Sequence, residues 1–151
     1  MILGEKALFM ADDVILSKAA VIERCVARAL EEYHADSQTF STNFTRQDAA
    51  ILNVQRACQA ALDLGQHIVR HNKLGVPQSA RDIFGLLSQG GWIAPCLADS
   101  LKKMVGFRNI AIHDYQNLEI PILVDILEHH LHEFLDYTRS VLKHADSGDH
   151  A

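Results

Sequence analysis

Residues 107–115 read Phe-Arg-Asn-Ile-Ala-Ile-His-Asp-Tyr, and two of these side chains together supply what RNA cleavage asks for. A base must take the proton from a ribose 2′-hydroxyl, and histidine, titrating at about 6.5, is suited to that task. A rigid cation must hold the phosphate as negative charge builds, which a guanidinium does with two parallel hydrogen bonds. His113 and Arg108 are the candidates for these roles, in a scheme that requires no metal and no other cofactor. The same spacing has a purely structural reading, in which His113 caps a helix and Arg108 pairs with an acid on a neighbouring one.

Two features single the segment out. Arg108 falls on the helical line of Leu97, Leu101, Met104, Val105 and Ile112, where an arginine is costly unless it is paired or faces a groove. His113 stands just beyond that run, followed by Asp114 and Tyr115. Five residues of ideal helix set Arg108 and His113 about 140° apart, whereas Arg108 and Tyr115, seven apart, share a face. For arginine and histidine to meet at one phosphate, the helix must unwind near Ile112 or a second subunit must complete the site.

The elements that position these residues are helical. Apolar residues recur at the helical period almost throughout, and no stretch alternates with period two for long enough to argue a strand. Asp12 or Asp13 caps a first helix with the stripe Ile15, Ala19, Ile22, Val26, Ala29, Leu30 and Tyr33. Residues 34–43 are polar and read as a loop. Thr45 with Asp48 resembles a capping box opening a second helix through Ile51, Val54, Cys58, Ala61 and Ile68, which Gly75 and Pro77 end. Ser79 caps a short third helix that Gly90-Gly91 stops. Pro95 opens a fourth, which carries Arg108, and Pro121 opens a fifth that runs through Leu142. Four long helices and a short one predict an all-α, up-and-down bundle. We expect residues 1–11 to be an N-terminal extension, 12–144 the domain, and 145–151 a frayed tail.

Bulk properties narrow the function classes. No apolar run approaches the roughly 20 residues that span a bilayer, and no secretion signal is evident, so no membrane role is expected. Cys25, Cys58 and Cys96 form no CxxC pair, which suits a reducing cytosol with thiols serving as small core residues. A net charge of −5 has the wrong sign for a protein that coats nucleic acid. Charge is uneven, however: residues 66–108 carry six bases against two acids, and residues 109–151 carry two bases against eight acids. A local positive face for phosphate is one reading, a solvated mosaic the other.

Other constellations carry less. Glu128-His-His-Leu-His-Glu133 lacks the Glu-x-x-His pairing of di-iron bundles, and His67 with His71 lacks the glutamate of H-E-x-x-H, so both read as solvated faces. No phosphate-binding glycine loop and no GxSxG turn is present. Trp92, between a glycine pair and Pro95, reads as an anchor beneath a loop rather than a base-stacking platform.

Arg108-x4-His113-x-Tyr115 resembles the RX4HXY signature of HEPN toxins of the HepT kind. The segments 60–69, 75–82, 90–95 and 103–109 are similar to that group as well, in the same order, and the similarity spans about residues 12–142. The resemblance implies that Arg108 and His113 are an RNA-cleaving pair, with Asn109 part of the same site. It implies a homodimer whose two motifs line one cleft. Lys102, Lys103 and Asp114, which flank the motif, are auxiliary or RNA-binding candidates. Tyr115 is implied to be the position that a partner antitoxin, a minimal nucleotidyltransferase (MNT), modifies by moving AMP from ATP onto the hydroxyl. Bulk and negative charge beside His113 would then repel an RNA phosphate. The rival expectations are a non-catalytic HEPN module that binds a nucleotide or partner, and a plain helical dimerisation domain.

Overall fold

A computed structural model describes residues 2–148, with side chains described from residue 13 to residue 147. Among them are six α-helices and no strand: α1 Ile2–His34, α2 Phe44–His71, α3 Ala80–Gln89, α4 Pro95–His113, α5 Ile120–His129 and α6 Leu131–Gly148. Single 3-10 turns, Phe40–Thr42 and Tyr115–Asn117, follow α1 and α4. The all-α expectation holds, with six helices in place of five. Helix α1 lies most extensively along α2, α3 packs on α4 and α2, and α6 crosses α1 and α4.

Several helix ends follow local chemistry. The Ser79 hydroxyl accepts from the Asp82 amide, capping α3. At the other end of α3, Gly91 takes φ +80° and the Trp92 amide reaches back to the Leu87 carbonyl, as in a Schellman turn. Pro95 stands in the first turn of α4, where its missing N–H leaves no donor unpaired.

Four expected boundaries are corrected. Helix α1 runs unbroken from Ile2, so Asp12 and Asp13 are interior residues and not its cap. The cap of α2 is Asn43, whose side chain accepts from the Arg46 amide; Thr45 already lies inside the helix. A third correction concerns the expected fifth helix, which is divided at His130 into α5 and α6. There the imidazole sits 3.2 Å from Asp125 and 2.8 Å from Glu133, an ion-paired corner that residues on both sides of the break create. Helix α2 also ends earlier than Gly75: Asn72 is its C-cap, and Lys73 takes the left-handed φ of 52°. Of the expected tail, residues 145–148 are helical, and residues 149–151 lie outside the described residues.

The predicted stripes of α1 and α2 are buried almost to the residue, and they meet Leu101, Leu123, Phe134 and Tyr137 in one core. Tyr137 is fully buried, donates to the Ala61 carbonyl at 2.8 Å and meets Phe84 edge to face. The polar segment after α1 is anchored as well, since Phe40 is buried edge-on against Tyr33 and Gln47 donates to its carbonyl at 2.8 Å. Cys25 and Cys58 are buried, as expected of core thiols, but Cys96 is exposed because it falls on the outer face of the first turn of α4.

Gly65 of α2 faces α3 and α6 with little room to spare. A Cβ there would lie 2.5 Å from Ile83 Cγ2 and 3.1 Å from both Leu87 and the Tyr137 hydroxyl. Gly65→Ala is therefore expected to destabilise the protein by about 1–3 kcal/mol through overpacking, measured as a lower urea midpoint.

His130 makes a pH-dependent contribution. Its hydrogen bond to Glu133, with Asp125 beside it, raises its pKa above the ordinary 6.5 despite opposing desolvation. A raised folded-state pKa gives stability that is complete below 6.5 and lost as pH climbs through the raised value. With the side chain 41% exposed, solvent screening keeps the effect under about 1 kcal/mol. The urea midpoint is expected to fall between about pH 6 and about pH 8, and His130→Ala to flatten that slope.

Candidate active site

Helix α4 sets out the motif. Its inner face buries Ala98, Leu101, Met104, Val105 and Ala111, fixing the helix against the bundle. Arg108 follows on that side, half-buried, with its Nε sealed from solvent and no hydrogen-bond partner. Its positive charge reaches Cys58 of α2, where it opposes the burial that pushes the thiol up to about 12. Among the described residues Arg108 forms no ion pair with an acid on a neighbouring helix. Ile112, expected on the same buried line, is 43% exposed, because the apolar face of α4 ends at Ala111.

The helix does not unwind near Ile112. It continues through His113, its last residue, and the Asp114 amide bonds to the Ile110 carbonyl. Arg108 and His113 of one chain therefore keep the wide angular separation of a regular helix. His113 is exposed at the C-terminus of α4. Asn109 is half-buried beside Arg108.

Beyond the helix, Asp114 adopts an extended φ of −148° and accepts from the Asn117 side chain at 2.7 Å, shaping the turn that carries Tyr115. Tyr115 is 45% exposed and lines an open hollow with Ile51, Leu52 and Gln55 of α2, and its hydroxyl donates to the Asp48 carboxylate. Partial burial and that carboxylate push the phenol up to about 12. Asp48 entered the sequence reading only as a capping residue, and 67 residues separate it from Tyr115. No local pattern signals the pairing.

The two lysines differ. Lys102 is half-buried, 4.0 Å from Asp99, and its carbonyl accepts from Arg81 Nε at 3.2 Å. Lys103 is exposed and lines a groove of about 400 Å³ between α4 and α5, with Phe107, Ile110 and Ile122. Trp92 is buried against His144 at 4.0 Å between ring centroids, an anchor as expected. His129 and His132 are exposed, in keeping with a solvated face, whereas His67 is half-buried with its ring 4.2 Å from that of His71. Among the described residues no helix is long and apolar enough to cross a membrane.

A helical bundle that carries Arg108 and His113 on the last turns of α4 and Tyr115 in the turn that follows fits the HEPN class. Within that class the chain belongs to the ribonuclease HepT-like family, whose model matches residues 22–141. It is 49% identical over 123 residues to the mRNA nuclease HepT of Shewanella oneidensis, covering 82% of this chain and 92% of that relative. A crystal structure of a toxin–antitoxin pair with AMP-PNP contains a chain of TM-score 0.83 and 46% identity, covering 87% of this chain and 98% of that one. The tri-AMPylated Shewanella oneidensis HEPN toxin, in complex with its MNT antitoxin, matches with TM-score 0.81, 46% identity and the same coverage. The cytosolic protein YutE of Bacillus subtilis, of unknown function, shares the fold at TM-score 0.77 and 19% identity, over 89% of this chain and 90% of its own. The chain is thus a ribonuclease, and the class read from its motif stands.

Proposed function

We propose that this chain is the toxin of a toxin–antitoxin pair, an endoribonuclease that cleaves RNA in the cytoplasm with Arg108 and His113. Residues 12–144 form its catalytic unit. His113 takes the proton of a ribose 2′-hydroxyl, the 2′-oxygen attacks the adjacent phosphorus, and the 5′-oxygen leaves, so that a cyclic phosphate remains. Arg108 holds the phosphate oxygens as charge develops, with Asn109 as an auxiliary polar contact. Lys102 and Lys103 attract the RNA backbone, and Asp114 braces the turn. An MNT antitoxin silences the enzyme by placing AMP on Tyr115, where a phosphodiester repels the RNA phosphate.

The observation that carries this reading is Arg108. A structural arginine would have its buried Nε paired, whereas here that donor is left over beside the half-buried Asn109. The regular helix between Arg108 and His113 supports the homodimer, because the arginine of one subunit then works with the histidine of the other. Ile110, Ile112 and Ile122, each more than 40% exposed around the motif, supply an apolar face for that contact.

Subunit mixing tests the shared site. Arg108→Ala and His113→Ala proteins are each inactive alone; when unfolded together and refolded, they form mixed dimers in which one intact arginine faces one intact histidine. About a quarter of wild-type RNA cleavage is expected to return, since half the dimers are mixed and each holds one of two sites. No recovery from dimers shown to be mixed would place both groups within one chain.

A further inference from the structure

Tyr115 is held by one partner, and that partner is an acid on another helix. Its turn follows α4, yet the hydroxyl donates to Asp48 in the second turn of α2. Tyr115 and Asp48 share the lining of an open hollow of about 310 Å³ with Ile51, Leu52 and Gln55. Both Tyr115 and Asp48 are exposed, so an incoming protein reaches the oxygen and the carboxylate together. Nothing in RNA cleavage calls for this contact. A phenol donating to a carboxylate has the arrangement of a nucleophile with its base.

We propose that Asp48 presents the Tyr115 hydroxyl for nucleotidyl transfer and accepts its proton during the reaction. The inference rests on the reading that Tyr115 is the modified residue. In the step, the phenolic O–H bond breaks and its proton passes to a carboxylate oxygen of Asp48. The phenolic oxygen bonds to the α-phosphorus of ATP, the bond from that phosphorus to the bridging oxygen breaks, and pyrophosphate leaves with the electron pair. The toxin thereby supplies both the nucleophile and its base, while the antitoxin binds and orients ATP. Because partial burial and the hydrogen bond to Asp48 raise the phenol to about 12, the hydroxyl keeps its proton until transfer begins. Base assistance matters most for such a weakly acidic nucleophile. Once AMP is attached, Asp48 faces a phosphodiester in place of a donor, and the two anions repel.

The test follows AMP incorporation from ATP labelled in its α-phosphate, with the cognate MNT antitoxin and full-length wild-type, Asp48→Asn, Asp48→Glu and Tyr115→Phe proteins. Melting curves and far-ultraviolet dichroism establish that each variant is folded. Asp48→Asn is expected to lower kcat for labelling by about 10²-fold or more with KM for the toxin little changed, and Asp48→Glu to restore part of the rate. A purely structural role would instead raise KM or lower the melting temperature, and would overturn the proposal. So would labelling of Asp48→Asn at or above the wild-type kcat while Tyr115→Phe stays unlabelled; the modification site would then survive without its base. Full labelling of Tyr115→Phe would remove the modification site itself, and this inference with it.

Discussion

His113→Ala protein is expected to cleave RNA about 10²- to 10⁴-fold more slowly than the wild type, the span a positioned general base contributes. The loss is interpretable because His113 stands exposed at the last position of α4, outside the core. Its replacement takes no side chain out of the core, so the domain is expected to stay folded. A single-turnover assay on an RNA oligonucleotide, run beside a melting curve, separates the two effects. His113→Gln should be as inactive as the alanine variant, since an amide preserves size and hydrogen bonding but accepts no proton. A variant that melts normally and cleaves at the wild-type rate would exclude His113 from the chemistry.

The second large effect is expected at Arg108, where function and stability should move apart. Arg108→Ala and Arg108→Lys are both expected to lower kcat by about 10²- to 10³-fold, the loss typical when one transition-state donor is removed. Lysine should not rescue, because an ammonium is a point charge without the planar pair of donors. Stability should barely respond, since the Nε of Arg108 is buried without a partner and its removal breaks no bond. We expect a melting temperature no more than about 3 °C below wild type, the shift of about 1 kcal/mol in a chain of this size. Residues kept for function at the expense of stability behave in this way. A collapse in melting temperature with catalysis intact would mean that the arginine is a packing residue.

How far the fold was legible depended on where each signal lay. Ser79, Gly90-Gly91 and Pro95 act on the backbone within a few residues, and the helix ends they predict are found. The break between α5 and α6 was hidden because the apolar stripe continues across it from Leu127 to Leu131, with neither glycine nor proline between. The break is instead associated with an ion-paired histidine whose acids lie on either side. The start of α1 was misplaced because Asp12 and Asp13 look like caps, yet the backbone is helical on both sides of them.

The motif was legible as a spacing, and the structure adds what spacing could not. The helix stays regular through His113, which removes one of the two ways of bringing arginine and histidine together. Ile112 turns outward, so the line on which Arg108 stands ends sooner than its period suggested. Gly65, a small residue without special meaning in the chain, proves to sit where Ile83 and Tyr137 leave no room for a Cβ. Asp48 was invisible as a partner of Tyr115 because only the packing of the turn after α4 on α2 joins them.

The central claim is that this chain cleaves RNA through Arg108 and His113 and is silenced at Tyr115. The most direct measurement is one gel of total RNA incubated with purified, chelator-treated wild type, His113→Ala, and wild type pre-treated with the MNT antitoxin and ATP. The account predicts cleavage by the untreated wild type alone, with cyclic-phosphate ends and a single AMP-bearing peptide around Tyr115 in the treated sample. Intact RNA in the presence of folded, dimeric, unmodified wild type would contradict it.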